Sequence, residues 1–212
     1  SPPAFCMALR KYLRGAWLIG VDQYAFERVV AFSFKTSEGP FKLVLELFGE
    51  GNIILVNGQN VILQALIYKK MRDRNIVRGE IFQLPPSSGQ NPFKTNQAEL
   101  ADAIKKAEAV EVVRMLTRFL GVGGFYSEEL LLRAKVNKST ICSSLTNIEI
   151  SAIFEALQSM LLPIREYKLE PVIILDEQDH FLDVVPFKLK RYEGYRVQAF
   201  ESFFAALDEF FV

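Results

Sequence analysis

Residues 119–134 read FLGVGGFYSEELLLRA, two helix-forming stretches separated by Gly121, Val122, Gly123 and Gly124. Gly121 stands where a helix C-cap takes φ > 0, and Gly123 and Gly124 keep the turn free of Cβ atoms. A phosphate can approach backbone N–H groups there, because the N-terminus of the following helix is electropositive. That is helix-hairpin-helix chemistry. Glu128 and Glu129 suit the same helix dipole and repel a nearby phosphate, so the turn also reads as a plain chain reversal.

Glu27 and Arg28, in AFERVV, enter a strand, where adjacent side chains point to opposite faces. Arg28 can present its guanidinium fork to a phosphate or an RNA base, and the plainer reading is an edge charge at a strand start. Further cations gather in two places. Arg10, Lys11 and Arg14 lie on the first helical stretch, and Lys69, Lys70, Arg72, Arg74 and Arg78 lie in KKMRDRNIVRG, residues 69–79. They read as a phosphate-tracking patch or as solvated charge. The segment DEQDHFLD holds Asp176, Glu177, Asp179, His180 and Asp183. A metal there needs ligands from other strands, and Asp and Glu are ordinary turn residues, so it reads as a solvated turn.

Composition narrows the classes. Hydrophobic residues make up 50% of the 212-residue chain, enough to bury a core in one larger domain or two small ones. Lys and Arg number 25 and Asp and Glu number 25, so any nucleic-acid contact comes from a local patch and not from a general basic excess. The single histidine excludes a paired-His metal site, and no nucleophile elbow, Walker loop or GxGxxG stretch is present. No cofactor or metal is expected. Cys6 and Cys142, without CxxC spacing, fit reduced thiols in a cytosolic protein. The longest apolar runs, such as FKLVLELF, are too short to span a bilayer and no secretory signal pattern is present, so the expected location is cytoplasmic, with no membrane partner. The opening SPPAFCMALRKYLRG lacks a methionine and reads as a cut made inside a longer protein.

The elements that must position these residues follow from hydrophobic period. Phe5, Leu9 and Leu13 share one helical face opposite Arg10, Lys11 and Arg14, and Gly15 stops the helix. From Ala16 the period becomes two, and WLIGVDQ, RVVAFSF, FKLVLELF, NIILVN and VILQALIY give five antiparallel strands in a meander, with Asn57-Gly58 as a hairpin signal. In the third strand Phe41, Leu43, Leu45 and Leu47 share an apolar face. Lys42, Val44, Glu46 and Phe48 share a half-polar one, so a covering layer is expected. IFQLPPSSGQNP runs into a Pro/Gly/Ser-rich linker, the main internal boundary. Residues 95–164 are wholly helical; PVIILDEQDHFLDVVPF then returns as a hairpin turning at residues 176–179, followed by the helix ESFFAALDEFF. The expected class is α+β, an antiparallel β-meander domain interrupted by an all-α helix-hairpin-helix module.

PPAFCMALRKYLRG, FERVV, LVLELFGEGNIILVN, RGEIFQLPP, LGVGGFYSEELLLRA and PFKLKRYEGYRVQAFESFFAALDEFF together resemble, in this order, the N-terminal half of NFACT proteins. That family holds the ribosome quality-control factors NEMF and RqcH and bacterial proteins once described as fibronectin-binding. The resemblance covers essentially the whole chain. It implies an NFACT-N domain over residues 1–92, similar in fold to the N-terminal domain of formamidopyrimidine-type DNA glycosylases, a helix-hairpin-helix domain over 93–166, and a returning part of NFACT-N over 167–212. It implies that the family's acidic-Arg pair falls on Glu27-Arg28, with Glu where many relatives carry Asp. The LRK block falls on Leu9-Arg10-Lys11, the GxGN block on residues 49–52 and the hairpin on residues 121–124. It further implies first strands upstream of Ser1, and a coiled coil and a C-terminal domain beyond Val212. An open sheet edge would result, suited to self-association or a companion chain.

The resemblance implies a non-catalytic module that binds tRNA and the large ribosomal subunit carrying peptidyl-tRNA, and supports C-terminal tailing of stalled nascent chains. Its RNA contacts would come from Glu27, Arg28, Arg10, Lys11, Arg14, Lys69, Lys70, Arg72, Arg74, Arg78, Gly121, Gly123 and Gly124. Two rival classes stand beside it. One is a protein-binding scaffold or adhesin-like module. The other is a glycosylase-like enzyme, which needs an amine nucleophile and room to flip a base.

Overall fold

From Trp17 onward, short apolar-rich stretches alternate with polar turns, and the backbone answers with strands. The computed structural model describes residues 2–211, and the chain divides into two compact units, residues 1–88 and 89–212. In the first, helix α1 (Ala4–Leu13) precedes β1 (Trp17–Gln23), β2 (Val29–Thr36), β3 (Gly39–Glu46), β4 (Asn52–Asn57) and β5 (Ile62–Ala65), which form one antiparallel sheet in sequential order. The expected meander is present. At the β4–β5 turn the Asn57 side-chain oxygen accepts N–H bonds from Gln59 at 3.0 Å and Val61 at 2.9 Å, which fixes the reversal locally. Two short strands, β6 (Lys69–Lys70) and β7 (Asn75–Ile76), make a separate ribbon.

Register decides which face of the sheet is the core. Ala31 pairs with Val44, Val44 with Ile54 and Ile54 with Ala65, so these side chains form a row across four strands. Val29, Val56, Ile62, Ile76 and Phe82 complete the cluster. This is the face of β3 that reads as half polar in sequence, yet Val44 is 3% and Glu46 5% exposed. Glu46 is tolerated because Arg74 reaches it from the ribbon at 2.5 Å and also donates to the Gln83 carbonyl at 3.0 Å, so the buried charge is paired and hydrogen-bonded. The fully apolar face is covered more thinly: Phe41 meets Tyr12 of α1 with ring centroids 5.7 Å apart, while Leu47 is exposed.

In the second unit, helices α2 (Gln97–Lys106), α3 (Val112–Leu120), α4 (Gly123–Ala134) and α5 (Asn147–Arg165) come first. Both α2 and α5 open on capping boxes, Asn96 with Glu99 and Thr146 with Glu149, in which each side chain satisfies a backbone N–H of the other residue. Strands β8 (Val172–Leu175), β9 (Phe181–Val185) and β10 (Arg196–Ala199) then form an antiparallel sheet in the order β10-β8-β9, and α6 (Phe203–Phe210) follows. β10 has no counterpart in the sequence reading, because its four residues are all exposed and carry no alternation. Leu116, Leu130, Ile153 and Leu157 share one buried core with Val172, Ile174 and Val185, so helices and sheet are built on each other. Among the described residues no helix is long and apolar enough to cross a membrane.

Glu129 fastens this unit. It is fully buried and accepts hydrogen bonds from Arg133 Nε at 2.7 Å, from the Lys190 N–H at 2.8 Å and from the Arg191 N–H at 3.0 Å. Its expected role at the α4 dipole gives way to this one, since a buried carboxylate needs several donors. Glu129→Ala is predicted to destabilise residues 89–212 by about 3 kcal/mol, read as a lowered urea midpoint of the helical far-ultraviolet signal. Glu129→Gln, which keeps an acceptor oxygen, loses less. An unchanged midpoint in Glu129→Ala contradicts the assignment.

Candidate nucleic-acid interface

The turn between β1 and β2 is closed by its own backbone: the Tyr24 N–H donates to the Val29 carbonyl and the Glu27 N–H to the Tyr24 carbonyl, both at 2.9 Å. Ala25 takes φ 46° to make the bend. Glu27 and Arg28 therefore sit in a turn, and the expected placement in a strand is corrected: strand pairing begins only at Val29. Their side chains are divided by function. The Glu27 carboxylate accepts from Ser87 Oγ at 3.0 Å, Ser88 Oγ at 2.9 Å and the Ser88 N–H at 2.7 Å, so it holds the end of the linker. Arg28 is exposed, and its guanidinium makes no hydrogen bond or ion pair among the described residues. Its carbonyl accepts from the Leu47 N–H at 2.8 Å, which anchors the backbone beneath it.

The other cations of this unit separate into free and committed. On α1, Arg10, Lys11 and Arg14 are exposed; Lys11 Nζ stands 5.0 Å from the centre of the neighbouring Tyr12 ring. On the β6–β7 ribbon and just after it, Lys70, Arg72 and Arg78 are exposed and unpaired among the described residues. Lys69 pairs with Glu50 at 2.6 Å, and its hydrogen bond and charge hold the Glu50 carboxyl below the usual range. Arg74 leaves the candidate set: its guanidinium is spent inside the core on Glu46 and cannot reach a phosphate. The GxGN block is also structural. Asn52 is buried, donates to the Ile67 carbonyl at 2.8 Å and accepts from the Ile67 N–H at 3.0 Å, as a strand partner would.

The glycine hairpin lies in the second unit. Gly121 ends α3 with φ 64°, and Gly123 opens α4 with φ 75°. The linker lies on the first of these glycines: the Gln90 N–H donates to the Phe119 carbonyl at 2.6 Å, and a Cβ placed on Gly89 would stand 2.5 Å from the Gly121 nitrogen. Gly121 is thereby corrected to a packing position, because protein backbone already occupies the approach to it. Gly123 and Gly124 remain exposed, and beyond their chain neighbours and the backbone of their own helix no atom lies within 4 Å of a Cβ built on either. Ser127 Oγ donates to the Gly123 carbonyl at 2.9 Å and accepts from Thr117 Oγ1 at 3.0 Å, so a hydroxyl pair ties α3 to α4 beneath the turn. Glu128 is drawn to Lys138 at 2.9 Å.

The acidic hairpin consumes its own charges. Asp176 accepts from the N–H groups of Gln178 and His180, each at 2.8 Å, and these bonds, the His180 one foremost, hold its carboxyl below the usual range; Asp179 pairs with Arg196 at 2.7 Å. No group of three or more His, Cys, Asp or Glu side chains converges on a metal position among the described residues. Sequence reasoning missed Ser87, Ser88 and Gly89, whose only signal is the small-residue run PPSSG at the boundary.

Glu27→Ala is predicted to lower the unfolding free energy of residues 1–88 by about 1–3 kcal/mol and to speed limited proteolysis between residues 84 and 90. Ser88→Ala, which removes one of the three donors, gives a smaller effect of the same sign. Equal cleavage rates in wild type and Glu27→Ala contradict the clamp.

A family model for the NFACT N-terminal and middle domains matches residues 1–212. The chain is 39% identical over 214 residues to the archaeal Rqc2 homolog aRqcH of Methanocaldococcus jannaschii, covering 99% of this chain and 31% of that protein. It is 28% identical over 157 residues to the Rqc2 homolog RqcH of Bacillus subtilis, covering 68% and 28%. It is 29% identical over 135 residues to the ribosome quality control complex subunit NEMF of Homo sapiens, covering 62% and 12%. The crystal structure of the fibrinogen binding protein from Staphylococcus aureus shares the fold, with a TM-score of 0.78 at 21% identity over 100% of this chain and 76% of that one. The chain spans about a third or less of the length of these curated relatives. With a family match along its whole length and relatives named as ribosome quality-control factors, the chain belongs to the NFACT family.

Proposed function

We propose that this chain is the part of a ribosome quality-control factor that engages tRNA and the large ribosomal subunit carrying peptidyl-tRNA. It acts in the cytoplasm, supports C-terminal tailing of stalled nascent chains and catalyses no step itself. The observation that carries the reading is charge segregation. Residues 1–88 hold eleven Lys and Arg against seven Asp and Glu, a surplus of four on a chain of zero net charge. Of the seven acids, Glu46, Glu50 and Glu27 are already engaged, whereas Arg10, Lys11, Arg14, Arg28, Lys70, Arg72 and Arg78 face solvent with no side-chain hydrogen bond or ion pair among the described residues. Cations on a helix, a tight turn and a β ribbon suit phosphates of a folded RNA, which is selected by shape, and the open amides at Gly123 and Gly124 add neutral contacts in the second unit.

A second reading, the protein-binding scaffold, is favoured by one observation. β1 is an edge strand with Trp17, Leu18, Ile19 and Val21 at 78%, 53%, 61% and 53% exposure, an apolar edge that another strand can extend. Salt separates the two, since phosphate contacts release counterions and apolar pairing does not.

Labelled total tRNA is predicted to bind with a steep inverse dependence on salt, and Arg28→Ala to weaken binding and lower the slope of log K against log salt by about one. Arg74→Ala lowers stability without that change in slope. No turnover is expected on lesion-bearing duplex DNA. An unchanged slope in Arg28→Ala, or no tRNA binding by folded protein, contradicts the reading.

A further inference from the structure

The stretch KLKRYEGYR, residues 188–196, takes no part in the interface above, yet it borders a groove of about 420 Å³ in the second unit. Val172, Ile174 and Val197, from β8 and β10, give that groove an aliphatic floor. Tyr192 and Tyr195 flank it, their rings meeting edge to face at 5.7 Å and 84°. The Tyr192 hydroxyl donates to Asp183 at 2.5 Å, which fixes that ring. Tyr195 is 48% exposed, and its hydroxyl has no partner among the described residues. Lys188 and Lys190 stand at the rim, exposed, with neither ammonium paired, while Glu193 offsets one of the two charges.

The backbone beneath these groups is held in place. Lys190 and Arg191 donate their N–H groups to the buried Glu129, and the Lys188 carbonyl accepts from Arg133 Nη2 at 3.0 Å. The Arg191 guanidinium lies 4.0 Å from the centre of the Phe125 ring. The groove is therefore preorganised, and its volume falls within the range of about 300–1,000 Å³ typical of small-ligand sites. An accessible aromatic ring above an aliphatic floor takes the face of a base, and free ammonium groups at the rim take phosphates. We propose that this groove receives one unstacked nucleotide of single-stranded RNA, its base stacked on Tyr195 and its flanking phosphates on Lys188 and Lys190. The inference rests on the RNA-binding reading and adds to it a base-stacking position in residues 89–212.

The test titrates the chain with a fluorescent single-stranded RNA of about seven nucleotides carrying a central 4-thiouridine, with labelled tRNA in parallel. Tyr195→Ala should weaken the short RNA roughly tenfold, while Tyr195→Phe, which keeps the ring, stays close to wild type. Replacing Lys188 and Lys190 by Ala together should lower the salt slope by about 1.4, two single-strand phosphates. Light-induced crosslinks should map to the peptide spanning residues 188–197. Unaltered affinity in Tyr195→Ala, crosslinks confined to residues 10–28 and 69–78, or tRNA binding without short-RNA binding overturns the groove and leaves the RNA-binding reading standing. Binding of neither RNA by folded protein overturns both.

Discussion

The Glu27 carboxylate, taking three hydrogen bonds from Ser87 and Ser88, is the interaction on which the candidate interface of residues 1–88 depends. A carboxylate satisfied in this way is a poor partner for the arginine next to it in sequence, so Arg28 keeps its charge available. Hydrogen bonds to a charged group contribute about 1.5–3 kcal/mol, enough for one side chain to define where the linker leaves the sheet. The same arrangement recurs in the core. Glu46 takes Arg74 out of the solvent-facing set, and what remains outside is a smaller but unpaired group of cations.

Residues 89–212 use their buried acid differently. Glu129 gathers two backbone N–H groups and one guanidinium, and thereby fixes the segment from Lys188 to Arg191 on α4. Local charge follows the same division: this unit holds fourteen Lys and Arg against eighteen Asp and Glu, so cationic chemistry here is confined to short stretches such as the rim of the tyrosine groove. The glycine hairpin is narrowed in a comparable way. Gly89 packs on Gly121, and the open backbone is limited to the first turn of α4.

Much of the frame is legible in the sequence because it is written in local period. The five-strand meander, the Asn57-Gly58 reversal and the helical stretch after the linker each depend on residues a few positions apart. What escapes is whatever depends on a distant partner. The half-polar face of β3 is the buried face because Glu46 meets a guanidinium 28 residues away, and Glu27 is committed by donors 60 and 61 residues away. Neither the alternation at residues 41–48 nor the dipeptide Glu27-Arg28 holds that information. β10 escapes for the opposite reason: RVQA is exposed throughout, and its pairing to β8 is a backbone matter that leaves no hydrophobic trace.

In the proposed reading, free cations on α1, the β1–β2 turn and the β6–β7 ribbon form the RNA-facing surface of residues 1–88, while Glu27 works inward. Hydrogen exchange read by mass spectrometry, with and without tRNA, tests it most directly. The expected result is tRNA-dependent protection in peptides covering residues 10–14, 24–28 and 69–78. Slow exchange of the Ser88 amide is expected before any RNA is added, because that N–H already donates to Glu27 at 2.7 Å. Protection confined to the β1 edge or the acidic hairpin, or a Ser88 amide that exchanges as freely as an unstructured one, would contradict it.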